Sequence, residues 1–237
     1  MMLRDLSTVK AIWFDAADTL VTIRNTEKLF ARYLASRGIE RSIEELKQAL
    51  HAAFNDKYYS HKPDEFVACT PQSDREYWLR FYRYVLEKLD LWKELDEESR
   101  HTMCHELYEL YISPEHYELF DDVLPVLKKL KTQGFELAVI SNFAPTLPQI
   151  FDAMGVAEYF DPIIVSTLVG YEKPDPRIFT HALKVTGRDA DEVLYVGDHE
   201  VNDVWAPAQA GIRAVRIKRY DYQSGSGMTS LEELLGR

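Results

Sequence analysis

Five short, almost wholly apolar runs, separated by helical patterns that close on glycine, constrain this chain more than any other feature. The runs cover residues 9–14 (VKAIWF), 135–140, 163–165, 193–196 and 214–217. The helical patterns cover 121–133, 145–154, 176–186 and 202–210, and Gly134, Gly155, Gly187 and Gly211 follow them in turn, as left-handed helix caps do. An apolar run without polar alternation fits a strand buried on both faces. Strands of that kind alternating with helices build a parallel sheet with right-handed crossovers. The expected fold class is α/β, with a Rossmann-like, three-layer parallel sheet.

Residues 22–113 read differently, because helix starts replace strand-like runs. We expect an inserted all-helical domain there, with residues 1–21 and 114–237 forming the α/β core domain. Ser42 with Glu45, and Ser73 with Glu76, have capping-box spacing; Pro71 suits a first turn, and Asp96 suits the cap of a helix running towards Tyr111. Gly38, His61-Lys62-Pro63 and Ser113-Pro114 mark breaks. Tyr77, Trp78, Phe81, Tyr82 and Tyr84 have the spacing of a helix-packing core rather than of a substrate cage. Residues 224–227 form a short turn before a last helix over 230–235.

With 28 Lys and Arg against 39 Asp and Glu, the net charge is −11, a field that repels nucleic acid and anionic membrane alike. An anionic substrate must therefore be drawn by a local cation. Only two cysteines occur, Cys69 and Cys104, the usage of a reducing compartment with two buried free thiols. The apolar stretch 11–14 is too short for a signal core or a membrane span. These features lead us to expect a cytoplasmic monomer or homodimer with no membrane or nucleic-acid partner.

Ligands of an open parallel sheet bind at the carboxyl edge of its strands, so the residues that follow each apolar run are the candidates. Asp15-Ala16-Ala17-Asp18-Thr19-Leu20 follows the first run and Ser141-Asn142 the second; Lys173 lies in a loop after the third, and Gly197-Asp198, with Asp203 beyond, follows the fourth. Carboxylates from separate strands suit Mg2+, a hard cation that takes oxygen ligands. One carboxylate can then attack phosphorus while Lys173 and Ser141 hold the equatorial oxygens. His101, Cys104 and His105 share helical spacing but lack the order of a zinc site. His199 lies beside Asp198.

The four motifs, in order and spacing, resemble those of the haloacid dehalogenase superfamily, and most closely the subgroup called haloacid dehalogenase-like hydrolase domain-containing proteins. The resemblance makes Asp15 the nucleophile and Ser141 a phosphate-binding hydroxyl, with Asn142 beside it at the substrate. Lys173 becomes the third-motif cation, and Asp15, the Ala17 carbonyl, Asp198 and Asp203 the ligands of Mg2+. It also implies a mobile helical cap and a small phosphorylated molecule as substrate; chain order puts the hinges near residues 21–24 and 112–114.

One position departs from the family's phosphatase pattern. Where those enzymes carry a second aspartate, two residues after the nucleophile, this chain has Ala17, and Asp18 comes one place too late. The missing group normally protonates the leaving oxygen and then activates water. Either Asp18 or a cap residue replaces it, or the enzyme prefers acyl or aryl phosphates that need no proton, or hydrolysis is nearly lost; the second reading best fits the retention of everything else. A metal-independent 2-haloacid dehalogenase and a non-catalytic binding protein of the same fold are the rivals.

Overall fold

The computed structural model describes residues 7–58 and 68–236. The His61-Lys62-Pro63 break lies outside them. Five parallel strands form the main sheet: β1 (Ala11–Phe14), β4 (Glu136–Ser141), β5 (Ile163–Val165), β6 (Val193–Gly197) and β7 (Arg213–Arg216), in the order β5-β4-β1-β6-β7. Two shorter strands, β2 (Val21–Thr22) and β3 (Glu118–Leu119), pair antiparallel beside it. The expected α/β class and parallel sheet are what the chain forms.

Strand alternation explains why these runs are apolar throughout. Ile12 and Phe14 of β1 enter one core, with Leu137, Val139, Leu194 and Val196. Ala11 and Trp13 face the other way, with Ala138, Ile140, Val193 and Tyr195. Each side of the sheet is covered by helices. Burying a side chain such as Phe14 or Ile12 contributes about 1.5–3 kcal/mol, so both faces drive assembly.

Among the described residues, four α-helices, α1 (Thr26–Ser36), α2 (Ile43–Ala53), α3 (Pro71–Lys88) and α4 (Glu97–Ile112), lie in the stretch between β2 and β3. They share a second core that includes Phe30, Leu34, Leu46, Phe81, Val85, Leu86, Met103 and Leu107, with Ala144 from the segment after β4 packed into it. Phe81 and Tyr82 are buried in it, as the helix-packing reading of the aromatic cluster requires. Cys69 and Cys104 are buried free thiols. Ser42 and Glu45 form the expected capping box, and the Asp96 carboxylate accepts the Ser99 N–H at 2.7 Å.

Three local expectations need correction. The box at the start of α3 is Thr70 with Ser73, not Ser73 with Glu76. Pro71 occupies the first turn, so the cap must precede it, and Ser73 becomes the third helical residue. The pattern over 202–210 is not one α-helix: a π-turn, Glu200–Trp205, precedes a short helix, Ala206–Gln209. Pro207 has no N–H to offer the Asp203 carbonyl four residues back, which breaks the regular ladder. The last helix is a 3-10 turn, Leu231–Leu235, capped by Ser230.

The remaining core helices are α5 (Val123–Thr132), α6 (Leu147–Ala153), α7 (Ser166–Val169), α8 (Arg177–Thr186) and α9 (Ala206–Gln209). Among the described residues no helix is long and apolar enough to cross a membrane.

Candidate active site

Strands β1, β4 and β6 end side by side, so the residues after them meet at the carboxyl edge. Asp15 is fixed at the tip of β1 by its own N–H, which donates to the Val196 carbonyl of β6 (2.9 Å). Beyond it the chain turns sharply: the Leu20 and Val21 N–H groups both return to the Ala16 carbonyl (2.8 and 3.0 Å). Asp18 takes a positive φ of 52° in this turn, a conformation that aspartate tolerates better than most residues. Its carboxylate accepts from the Tyr220 hydroxyl (2.7 Å) and the Thr22 hydroxyl (3.3 Å). Among the described residues the Ala17 carbonyl accepts no hydrogen bond.

The Lys173 ammonium sits between two carboxylates, donating to Asp15 Oδ1 at 2.7 Å and to Asp203 Oδ1 at 2.6 Å. All three side chains are buried. Tyr195 completes the arrangement: its hydroxyl donates to the Ile140 carbonyl (2.8 Å) and accepts from Lys173 (3.1 Å). Asp203 reaches this point because residue 197 is glycine. A Cβ there would fall 2.4 Å from the Asp203 Cγ, closer than any real contact allows. The second Asp203 oxygen accepts the His199 N–H at 2.9 Å.

Asp198 lies beyond the end of β6 on a segment held from two sides. Its carbonyl accepts from Arg216 Nε (2.8 Å), and its carboxylate accepts from Gln223 Nε2 (3.1 Å). Asp15, Asp198 and Asp203 each place a carboxylate oxygen within 4.8 Å of the others, the only such acidic, His or Cys cluster among the described residues. His101 and His105 face each other at 3.1 Å, His105 Nδ1 faces the Arg75 guanidinium at 3.1 Å, and Cys104 is buried in the helical core. Nothing gathers there as a zinc site would require.

The electrostatics follow from burial. Desolvation pushes the Asp15 carboxyl above its ordinary value, with Lys173 pulling it back and Asp203 adding to the rise. Asp198 is pushed up further, by burial and then by Asp203, Asp18 and Asp15. Burial acts to lower the Lys173 pKa, but Asp15 and Asp203 outweigh it and hold the ammonium charged. Asp15, Asp198 and Asp203 thus share one buried cation, with Asp18 held nearby by Tyr220 and Thr22. His199 is kept neutral down to about 4 by burial and by Lys173, and its Nδ1 accepts the Asn202 N–H at 3.0 Å, so it caps the turn behind Asp198.

Ser141, at the end of β4, is buried, and its Oγ has no hydrogen-bond partner among the described residues. A buried hydroxyl without a partner at the edge of an acidic site is free to bond a ligand oxygen. Asn142 does something the sequence reading did not assign it. Its Nδ2 donates to the Lys173 carbonyl and its Oδ1 accepts the Lys173 N–H, both at 2.7 Å. One N–H and the oxygen of its amide thus position the lysine loop.

The sequence reading missed Tyr195, Arg219, Tyr220 and Gln223. A tyrosine in the middle of the apolar run 193–196 was a usable signal, since a buried hydroxyl needs partners. The other three lie on the loop after β7, where no periodicity pointed to the site. Arg219 donates twice to the Thr19 carbonyl (3.0 and 2.6 Å) and pairs with Asp122 at 2.8 Å.

Human haloacid dehalogenase-like hydrolase domain-containing protein 3 is 28% identical over 210 residues, covering 88% of this chain and 82% of its own. A glyceraldehyde 3-phosphate phosphatase of Methanopyrus kandleri is 27% identical over 223 residues, covering 91% and 86%. The crystal structure of a haloacid dehalogenase-type hydrolase from Bacillus subtilis bound to magnesium superposes with a TM-score of 0.75 at 17% identity, covering 97% of this chain and 99% of that one. The model of the haloacid dehalogenase-like hydrolases matches residues 9–211, and with most of its length and its whole acidic edge accounted for, this chain belongs to that family.

Proposed function

We propose that the protein is a magnesium-dependent phosphatase that forms an aspartyl-phosphate on Asp15 and favours leaving groups that need no proton. The observation that carries this reading is the Lys173 ammonium bridging Asp15 and Asp203 beside the Asp198 carboxylate and the unpartnered Ser141 hydroxyl.

The donor set fits a dication. Three carboxylate oxygens within reach of one another, with one ammonium among four buried or half-buried acids, leave negative charge uncompensated. Oxygen-only donors match magnesium rather than zinc. Asp15, Asp198, Asp203 and the Ala17 carbonyl would hold it, and when bound it offsets charge on a phosphoryl group.

An Asp15 oxygen attacks phosphorus, and the bond from phosphorus to the leaving oxygen breaks with its electron pair going to that oxygen. Lys173 and Ser141 hold equatorial phosphoryl oxygens. Water then attacks the phosphorus of the acyl phosphate and returns Asp15 as a carboxylate. At position 17 the methyl side chain can give no proton to the departing oxygen and take none from the water. His199 does not replace it, being neutral down to about 4 with Nδ1 already engaged. Acyl and aryl phosphates, whose anions leave unaided, therefore fit best.

We assign residues 22–113 to a cap that opens to admit substrate. The core shared by α1–α4 supports a unit that moves as one, joined to the main domain through the paired strands Val21–Thr22 and Glu118–Leu119. The test is the rate against leaving-group pKa across a series of aryl phosphates with magnesium. A steep dependence, with alkyl phosphates left almost intact, is expected; a flat one overturns the leaving-group reading. Chloride released from 2-chloropropionate in the presence of chelator would favour a dehalogenase instead.

A further inference from the structure

We infer that Gln223 is a positioning residue for the cation site: it orients the Asp198 carboxylate and so sets how tightly the site holds a divalent metal. The inference rests on the reading of Asp198 as a metal ligand.

The Gln223 amide is locked at both ends. Its Oε1 accepts two backbone N–H groups, from Arg219 (2.7 Å) and Tyr220 (3.0 Å), which leaves Nε2 to face Asp198 Oδ2 at 3.1 Å. Its own N–H donates to the Tyr220 carbonyl (3.1 Å), closing a tight turn around the side chain. That turn is tied to the nucleophile loop, because Arg219 reaches the Thr19 carbonyl and Tyr220 reaches the Asp18 carboxylate. The direction of the amide is thus imposed by the backbone and not chosen by the carboxylate.

One fixed donor on one carboxylate oxygen restricts the plane of the group and leaves the other oxygen without a protein donor among the described residues. Hydrogen bonds of this kind hold a metal-binding carboxylate in place before the ion arrives. The chemistry of the donor matters as well. A lysine or arginine at this position would cancel the charge that a cation needs, whereas a neutral amide orients the carboxylate and leaves its charge intact. Arg216 acts differently: it holds the Asp198 backbone at the carbonyl, not the carboxylate.

The test is Mn2+ binding, followed by electron paramagnetic resonance of the free ion, on the full chain and on Q223M, Q223A and D198N, with a thermal melt of each without metal. A side chain that only shaped its loop would move the melt and leave the Mn2+ dissociation constant alone. We expect Q223M and Q223A to bind Mn2+ about tenfold or more weakly while still melting cooperatively. Wild-type affinity in both, with binding lost in D198N, overturns the role of Gln223 and leaves the cation site standing. Loss of cooperative melting in both also overturns it, since the side chain would then be holding the loop. If the unaltered protein binds no Mn2+, or D198N binds it equally well, the cation reading itself fails.

Discussion

Asn142 grips Lys173 from both ends of its amide, donating to the lysine carbonyl and accepting the lysine N–H, each at 2.7 Å. The ammonium that bridges Asp15 and Asp203 is therefore aimed by a side chain on the neighbouring strand end. Substitution N142D replaces the donor with a carboxylate oxygen facing the Lys173 carbonyl. Because small displacements of catalytic groups are costly, we expect kcat on an aryl phosphate to fall about 100-fold, with KM moving much less. Steady-state kinetics check it; unchanged kcat would show that the clamp is dispensable.

Lys173 also matters to the fold. Removing its charge in K173M strands Asp15 and Asp203 without their buried partner. Breaking a buried pair in this way costs about 3–5 kcal/mol. The loss is expected at pH 8 and should shrink towards pH 5, because the Asp15 carboxyl already lies above its ordinary value and can protonate. Denaturant melts at the two pH values measure it.

Restoring a carboxyl at position 17 tests the assigned register. In A17D an acid stands two residues after the nucleophile, where a proton can be given to a leaving oxygen. General acid help contributes roughly 10²–10⁴ in rate, so alkyl phosphates should gain most, while good leaving groups gain only what faster hydrolysis of the aspartyl-phosphate adds. No gain for alkyl esters in a folded A17D protein would count against that assignment.

The sheet was legible because both of its faces are buried, which makes Ile12 and Phe14 apolar for one core and Ala11 and Trp13 apolar for the other. The acidic edge was legible for a related reason: Asp15 follows directly on one apolar run and Asp198 one glycine after another, so each strand announces where it ends. The Asn142 clamp was not legible, since its partner, Lys173, is 31 residues away and only the fold brings the two together. Gln223, Tyr220 and Arg219 were invisible. They sit on an irregular loop, and their importance lies in contacts with Asp198, Asp18 and Thr19 that no spacing encodes. Capping followed the same division: Ser42 with Glu45 read correctly from local spacing, while Pro71 moved the next box upstream to Thr70.

Asp74, on α3, gives the helical unit a pH signature of its own. Burial pushes its carboxyl from 3.8 up to about 6, against the pull of Trp78 Nε1–H and the Tyr108 hydroxyl. The folded protein then holds this proton more tightly than the unfolded chain, so stability is highest below the unfolded value and falls as pH rises towards about 6. Because the group is only half-buried, the penalty at pH 8 is about 2 kcal/mol. D74N should recover most of it at pH 8 and nothing at pH 4, as thermal melts across that range will show; an equal shift at both pH values would contradict the assignment.

The central claim is that Asp15 carries the phosphoryl group, and trapping it is the most direct measurement. The protein is mixed with an acyl phosphate and magnesium, quenched, and reduced with borohydride, which converts an aspartyl-phosphate into homoserine, and the peptides are then sequenced by mass spectrometry. The account predicts homoserine at position 15, dependent on magnesium, with phosphate release abolished in a folded D15N protein. Phosphate released at the normal rate by D15N, or turnover with residue 15 never modified, would contradict it.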